Sequence, residues 1–152
     1  MEYDELIAKA TNDNVDILEV SFKGKAKGYY SDGVIAIDNK IETNTEKKCI
    51  LAEELGHFYT STGDILDNSI LSKKKESIAR RWACEKLITL SHLTSAFKDG
   101  ITNKSDLANY LDVTPHFLDL TLEYYKRRYG THVKLNNYII FFEPNLGILK
   151  LL

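Results

Sequence analysis

The spacing of hydrophobic and polar positions divides the chain into a strand-rich start, a helical middle and a strand-rich end. Residues 2–13 carry apolar side chains at helical intervals, which predicts a first helix. Shorter alternating runs over 15–22, 26–30 and 34–37 are separated by glycine and aspartate turn signals. These runs predict three strands, and we expect them to form a small antiparallel sheet.

Two long helices are predicted after this sheet. Residues 43–46 offer several N-cap side chains for a helix that continues to about Thr60. A second helix is predicted over 72–90, where no glycine or proline interrupts the apolar spacing.

The rest of the chain continues as helices and then returns to strands. Residues 92–129 predict helices with breaks at 100–104 and 112–115. After Gly130 the pattern predicts a C-terminal hairpin that ends at Pro144. The order of strands, helices and strands predicts an α+β fold, and a chain of 152 residues suits a single domain over residues 1–152.

Composition limits the class of protein. Hydrophobic residues make up 43% and charged residues 28%, as in a folded globular protein. The net charge of −2 provides no general attraction to nucleic acid or to a membrane. The start of the chain lacks a basic segment followed by an apolar core, and no apolar run reaches membrane-spanning length, so we expect a cytoplasmic protein. Cys49 and Cys84 are isolated and are expected to be reduced, buried thiols.

Candidate chemistry lies on the first long helix, in the stretch LAEELGHFYT. Glu53, Glu54 and His57 fall in one quadrant of that helix, beside an apolar stripe. Glu53 and His57 are four residues apart, so both side chains can reach one ion, while Glu54 lies one step round and can touch a water on that ion. The same spacing also fits a solvated hydrogen-bonded pair without any metal.

A third metal ligand is available on the next helix. Glu76 shares its helical stripe with the small residues Ala79 and Ala83, which allow that helix to approach another. Catalytic zinc sites use three protein ligands and leave one position open for water. Glu53, His57 and Glu76 supply three ligands of suitable chemistry.

Five stretches follow one another along the chain: GYYSDGVIAID, LAEELGHFYTSTGDIL, KESIARRWACEKLITL, SDLANYLDVTPHFLDLTLEYY and NNYIIFFEP. In this order they resemble the ImmA/IrrE-type metallopeptidases of bacterial mobile elements and prophages. The most specific part of the resemblance is the pairing of the EELGH helix with the E-x-x-A-x-x-W-A-x-x-x-L segment that begins at Glu76. The resemblance covers nearly the whole chain.

The resemblance implies a zincin-like fold, in which H-E-x-x-H provides two metal ligands and a general base, and a downstream glutamate provides the third ligand. It makes His57 and Glu76 metal ligands, Glu54 the catalytic glutamate and Zn2+ the expected metal. Glu53 departs from the family pattern, which has histidine there. A carboxylate can bind zinc, but two carboxylates and one imidazole neutralise the ion and make its bound water a weaker acid.

Two further points about the ligands stay open. A set this rich in oxygen makes Mn2+ or Fe2+ alternatives to zinc. Asp64 and Asp67 are alternative ligands in the loop after the helix, although Asp64 beside Gly63 is more simply explained as a turn residue.

A nucleic-acid role receives little support. Residues 105–125 resemble a helix-turn-helix, but the helix that begins at Pro115 has no Arg, Lys, Gln or Asn in its first two turns to read bases. The strongest basic cluster comprises residues 73–75 with Arg80 and Arg81, and it spreads over several helix faces as a solvated surface does. We therefore expect a scaffold or a protein-docking surface rather than direct DNA binding.

The resemblance implies a metal-dependent endopeptidase that hydrolyses a peptide bond in a repressor or similar regulatory protein of a mobile element. Its expected partner is a helix-turn-helix repressor. The alternative, motivated by Glu53, is a catalytically weak or inactive peptidase-like module that binds the repressor without cutting it.

Overall fold

The computed structural model describes the backbone of residues 1–61 and 69–152, and the side chains of 1–61 and 72–152. Within these residues the chain divides into two compact units, Met1–Leu87 and Ile88–Leu152. The α+β prediction is confirmed. The prediction of a single domain over residues 1–152 stays a prediction.

The first unit consists of a sheet with helices before and after it. Its elements are α1 Tyr3–Asn12, β1 Asp16–Val20, β2 Gly28–Ser31, β3 Val34–Asp38, α2 Asn44–Thr60 and α3 Ser69–Leu87. The predicted helix and strand positions are confirmed to within a few residues. Thr43 caps α2, since its side-chain oxygen accepts a hydrogen bond from the backbone N–H of Glu46 at 3.1 Å.

The first sheet is mixed, so the prediction of an antiparallel sheet was wrong in one pairing. The strand order is β1-β3-β2, with β2 antiparallel to β3 and β1 parallel to β3. Asp32 and Gly33 have positive φ and close the tight hairpin between β2 and β3. That hairpin places β2 at the far edge and leaves the other edge of β3 for β1. Alternation along the sequence predicts strands but does not state which neighbour each one takes.

The central strand β3 packs with α2 in the core of the first unit. Ile35 and Ile37 of β3 and Leu51 and Leu55 of α2 are fully buried. Burying one such side chain contributes roughly 1.5–3 kcal/mol to folding. The buried stripe of α2 leaves Glu53, Glu54 and His57 on adjacent faces, as the helical spacing predicted.

The second unit has three helices followed by three strands among its described residues: α4 Leu90–Lys98, α5 Lys104–Leu111, α6 Pro115–Tyr129, β4 His132–Leu135, β5 Tyr138–Phe141 and β6 Gly147–Lys150. The breaks predicted between the helices are confirmed. Thr114 caps α6 by accepting a hydrogen bond from the N–H of Phe117 at 3.1 Å, and Pro115 occupies the first helical position.

The C-terminal hairpin prediction is confirmed for β4 and β5 but misses a strand. The strand β6 pairs antiparallel with β5 and completes a three-stranded sheet in the order β4-β5-β6. The sequence signal was weak because the GILK of β6 lacks apolar–polar alternation and follows Pro144, which marks the end of a strand pattern.

Two predictions from composition can be compared with the structure. Cys49 and Cys84 are buried, as expected, and no disulfide joins them. Across the described residues, none of the helices combines the length and the apolar character needed to cross a bilayer.

Candidate functional site

Two predicted ligands, His57 of α2 and Glu76 of α3, face each other. The Nε2 atom of His57 lies 3.2 Å from Oε1 of Glu76. The side chain of His57 is 23% exposed and that of Glu76 is 62% exposed, so the pair sits at the edge of the helix interface with solvent on one side. The structure therefore brings together two of the three residues proposed to bind a metal.

The third predicted ligand, Glu53, has a different neighbour. Its Oε1 atom lies 3.8 Å from Nε of Arg80, which is on α3 one turn beyond Glu76. The Arg80 Nε atom is buried, and within the described part of the chain it has no hydrogen-bond partner. At this distance the contact with Glu53 is an ion pair rather than a hydrogen bond.

The described residues contain no group of three His, Cys, Asp or Glu side chains arranged to hold one metal ion. Glu53 contacts Arg80 instead of completing such a group, so its role as a ligand stays a prediction. Asp64 and Asp67, the alternative ligands, lie outside the described residues.

Glu54 lies beside these groups in a poorly hydrated position next to β2. A methyl group added at Gly28 would come within 3.1 Å of Glu54 Oε1, which shows how closely the β2 backbone covers this carboxyl group. Burial, together with the negative charges of Glu76 and Glu53, raises the pKa of Glu54 to about 7, and burial is the largest of these causes. A carboxyl group with this pKa can take up and release a proton near neutral pH.

A model of the IrrE N-terminal-like domain, a peptidase family, matches residues 10–145. The chain belongs to this family. The resemblance stated from the EELGH helix and the Glu76 segment is thereby confirmed. A search of curated proteins and a search of solved structures found no match.

Membership in the IrrE-type family identifies the chain as a metallopeptidase-like domain, and the α+β arrangement is consistent with the zincin-like fold of that family. The family is generally zinc-dependent. Two donor atoms on a tetrahedral zinc lie about 3.3 Å apart, given metal–ligand distances of about 2.0–2.1 Å. His57 Nε2 and Glu76 Oε1, at 3.2 Å, match this spacing. The spacing of this pair is compatible with a zinc ion, while Glu53 lies against Arg80 and does not complete the group.

A pocket of about 260 Å³ opens beside His57 in this IrrE-type domain. It is lined by Tyr30, His57, Thr60, Ser61, Lys74, Lys75 and Ile78. A cavity of about 150 Å³ can hold a benzene ring. The pocket is therefore large enough for one side chain of a peptide.

Sequence reasoning missed two residues of the site. Arg80 was assigned to a solvated basic surface, but its Nε atom is buried and faces Glu53. The available signal was its position four residues after Glu76, on the same helical stripe. Gly28 received no role in the site, because its closeness to Glu54 depends on tertiary packing that the sequence does not show.

Proposed function

We propose that this IrrE-type domain is a metal-dependent endopeptidase that hydrolyses a peptide bond in a repressor or similar regulatory protein of a mobile element. The observation that carries the proposal is the 3.2 Å approach of His57 Nε2 to Glu76 Oε1. Glu54, in its covered position beside this pair, supplies the acid–base group that such a reaction needs. Family membership supports the same reaction class.

His57 and Glu76 would hold the metal ion, and Glu53 would be the third ligand once it leaves Arg80. Zn2+ is the expected ion, with Mn2+ or Fe2+ as alternatives for this carboxylate-rich set. The ion, when bound, supplies Lewis-acid polarisation of the scissile carbonyl and of the attacking water.

The chain's own residues would perform the proton transfers and bind the substrate. Glu54 accepts a proton from the attacking water and passes it to the departing amine. Its carboxylate is therefore unprotonated again at the end of the cycle. The β2 backbone at Gly28 shields one side of this carboxyl group from solvent. The pocket beside His57 receives a side chain of the substrate and thereby positions the peptide along α2.

The repressor is proposed as substrate because the ImmA/IrrE-type peptidases that this sequence resembles belong to mobile elements. Cys49 and Cys84 are buried thiols that no disulfide joins, which suits a reducing compartment, so we expect the reaction to take place in the cytoplasm.

The test is cleavage of the repressor encoded beside this chain, followed by mass spectrometry of the products. We expect Glu54→Gln to retain zinc and to lower the cleavage rate by about 10²–10⁴-fold, because the proton acceptor is lost. Glu85→Gln is a matched control, since Glu85 lies on α3 and interacts with Arg81. Cleavage by Glu54→Gln at the wild-type rate would remove Glu54 from the assigned role.

A peptidase-like module that binds the repressor without cutting it is the second candidate function. The ion pair of Glu53 with Arg80 favours it, because the residue expected as third ligand contacts a guanidinium and does not complete a metal-binding group with His57 and Glu76. Recovery of intact repressor in a pull-down with the wild-type chain, equally with added zinc and with chelator, would support this module over the enzyme.

A further inference from the structure

The facing side chains of α2 and α3 form two opposed pairs. His57 meets Glu76 at 3.2 Å, and one turn along each helix Glu53 meets Arg80 at 3.8 Å. The earlier residue of α2 pairs with the later residue of α3, so the two helices run antiparallel at this point. Glu53, the proposed third metal ligand, therefore lies next to the permanent positive charge of Arg80 on the opposing helix.

The guanidinium of Arg80 and a divalent cation would attract the same carboxylate. Arginine stays protonated at every physiological pH, so this attraction does not depend on pH. A distance of 3.8 Å excludes a direct hydrogen bond from Nε to Glu53 Oε1. A pair without that bond is weaker than a bidentate one, so a cation held by His57 and Glu76 can draw Glu53 away from Arg80.

We propose that Arg80 is a positioning residue that competes with the metal ion for Glu53. Binding of the ion and release of the Glu53–Arg80 pair then form one event, and Arg80 sets the metal concentration at which the site fills. This inference rests on the proposed function, because it takes His57 and Glu76 as the groups that hold the ion.

The experiment measures the zinc dissociation constant of the full chain by competition with a chromophoric chelator. The variants are Arg80→Met, Glu53→Gln and the double variant. Arg81→Met is a matched control, because it removes the same charge from the neighbouring position, where the partner is Glu85. Circular dichroism of each variant shows that it is folded.

We expect Arg80→Met to bind zinc about tenfold more tightly than wild type, the lower end of the range for residues that act on a metal ligand. Glu53→Gln should bind zinc more weakly than wild type. The double variant should bind zinc as weakly as Glu53→Gln alone, because the carboxylate for which Arg80 and zinc compete is absent from both. Arg81→Met should match wild type. If Arg80→Met does not fold, Arg80→Gln is measured instead, and we again expect zinc binding tighter than in wild type.

Unchanged zinc affinity in Arg80→Met would overturn the inference. So would an equal gain in the Glu53→Gln background, because Arg80 would then act by repelling the ion rather than through Glu53. If wild type binds zinc and Arg80→Met does not bind it more tightly, the competition fails and the proposed function survives. If neither protein binds zinc, both fail.

Discussion

Glu54 is a carboxyl group whose surroundings favour the protonated form. Burial against β2 and the charges of Glu76 and Glu53 raise its pKa from 4.5 to about 7. Between these two pH values the folded chain holds a proton on Glu54 that the unfolded chain releases. The free energy of unfolding therefore falls as the pH rises through this window, and above pH 7 the ionised carboxylate contributes its full destabilising effect.

Replacing Glu54 by glutamine should stabilise the metal-free protein at pH 8. The amide cannot ionise, so we expect a gain of about 1–2 kcal/mol after allowance for the part of the side chain that meets solvent. The gain should shrink at pH 5, where Glu54 is already protonated in the folded state. Urea unfolding of chelator-treated protein at both pH values measures this difference, with Glu85→Gln as the control. An equal effect at pH 5 and pH 8 would contradict the raised pKa.

The candidate residues of α2 could be grouped from the sequence because their relation lies within a single helix. The spacing of Glu53, Glu54 and His57 fixes their positions around α2 whatever the tertiary structure. The contacts between two helices cannot be derived in the same way. The residue of α3 that lies opposite Glu53 depends on the register between α2 and α3. The spacing of residues along a single helix does not specify this register, so Arg80 was missed.

The register of α2 and α3 depends on a close backbone approach at Gly56. A methyl group added at Gly56 would lie 2.2 Å from the carbonyl oxygen of Ala79, far inside any allowed contact. The absence of a side chain at Gly56 thus lets the helices come near enough for His57 to reach Glu76. The sequence indicated such an approach through the small residues Ala79 and Ala83, without giving the distance.

Gly56→Ala should force α2 and α3 apart. We expect it to destabilise the chain by about 1–3 kcal/mol through overpacking, even though alanine gains about 1 kcal/mol in helix propensity. It should also weaken zinc binding, since His57 and Glu76 would separate. Urea unfolding and zinc titration measure the two effects.

Gly24→Ala is the control for this variant, because no atom lies within 4 Å of a methyl group added there. Its stability should stay within about 0.5 kcal/mol of wild type. A Gly56→Ala variant as stable as Gly24→Ala would mean that the helix contact is not as close as described.

The positions of the strands could be predicted from the sequence, but the way they pair in the first sheet could not. The runs that form β1, β2 and β3 were each found from alternation, but the parallel pairing of β1 with β3 was not. Neighbouring strands in a sequence pair more often than distant ones, and that tendency gave the wrong order here. The strand β6 was missed because its sequence, GILK, does not alternate between apolar and polar side chains.

At the scale of the whole molecule, all of the proposed metal and acid–base groups belong to the unit Met1–Leu87. The unit Ile88–Leu152 contains the helix-turn-helix-like helices α5 and α6. The basic residues of α6 lie in its last turn, Lys126 to Arg128, where they complement the helix dipole.

The full chain should therefore show no specific binding to duplex DNA. Its net charge of −2 offers no phosphate attraction, and the start of α6 lacks side chains that read bases. A gel-shift assay at low salt with the DNA that flanks the coding region tests this expectation. Tight binding that weakens steeply with added salt would contradict it.

Metal binding at His57 and Glu76 is tested by the metal content of tag-free protein purified without chelator. Elemental analysis should find about one zinc, manganese or iron ion per chain, and the metal should be lost in both His57→Ala and Glu76→Ala. Wild-type protein that holds no metal after incubation with excess zinc, or variants that keep it, would contradict the account.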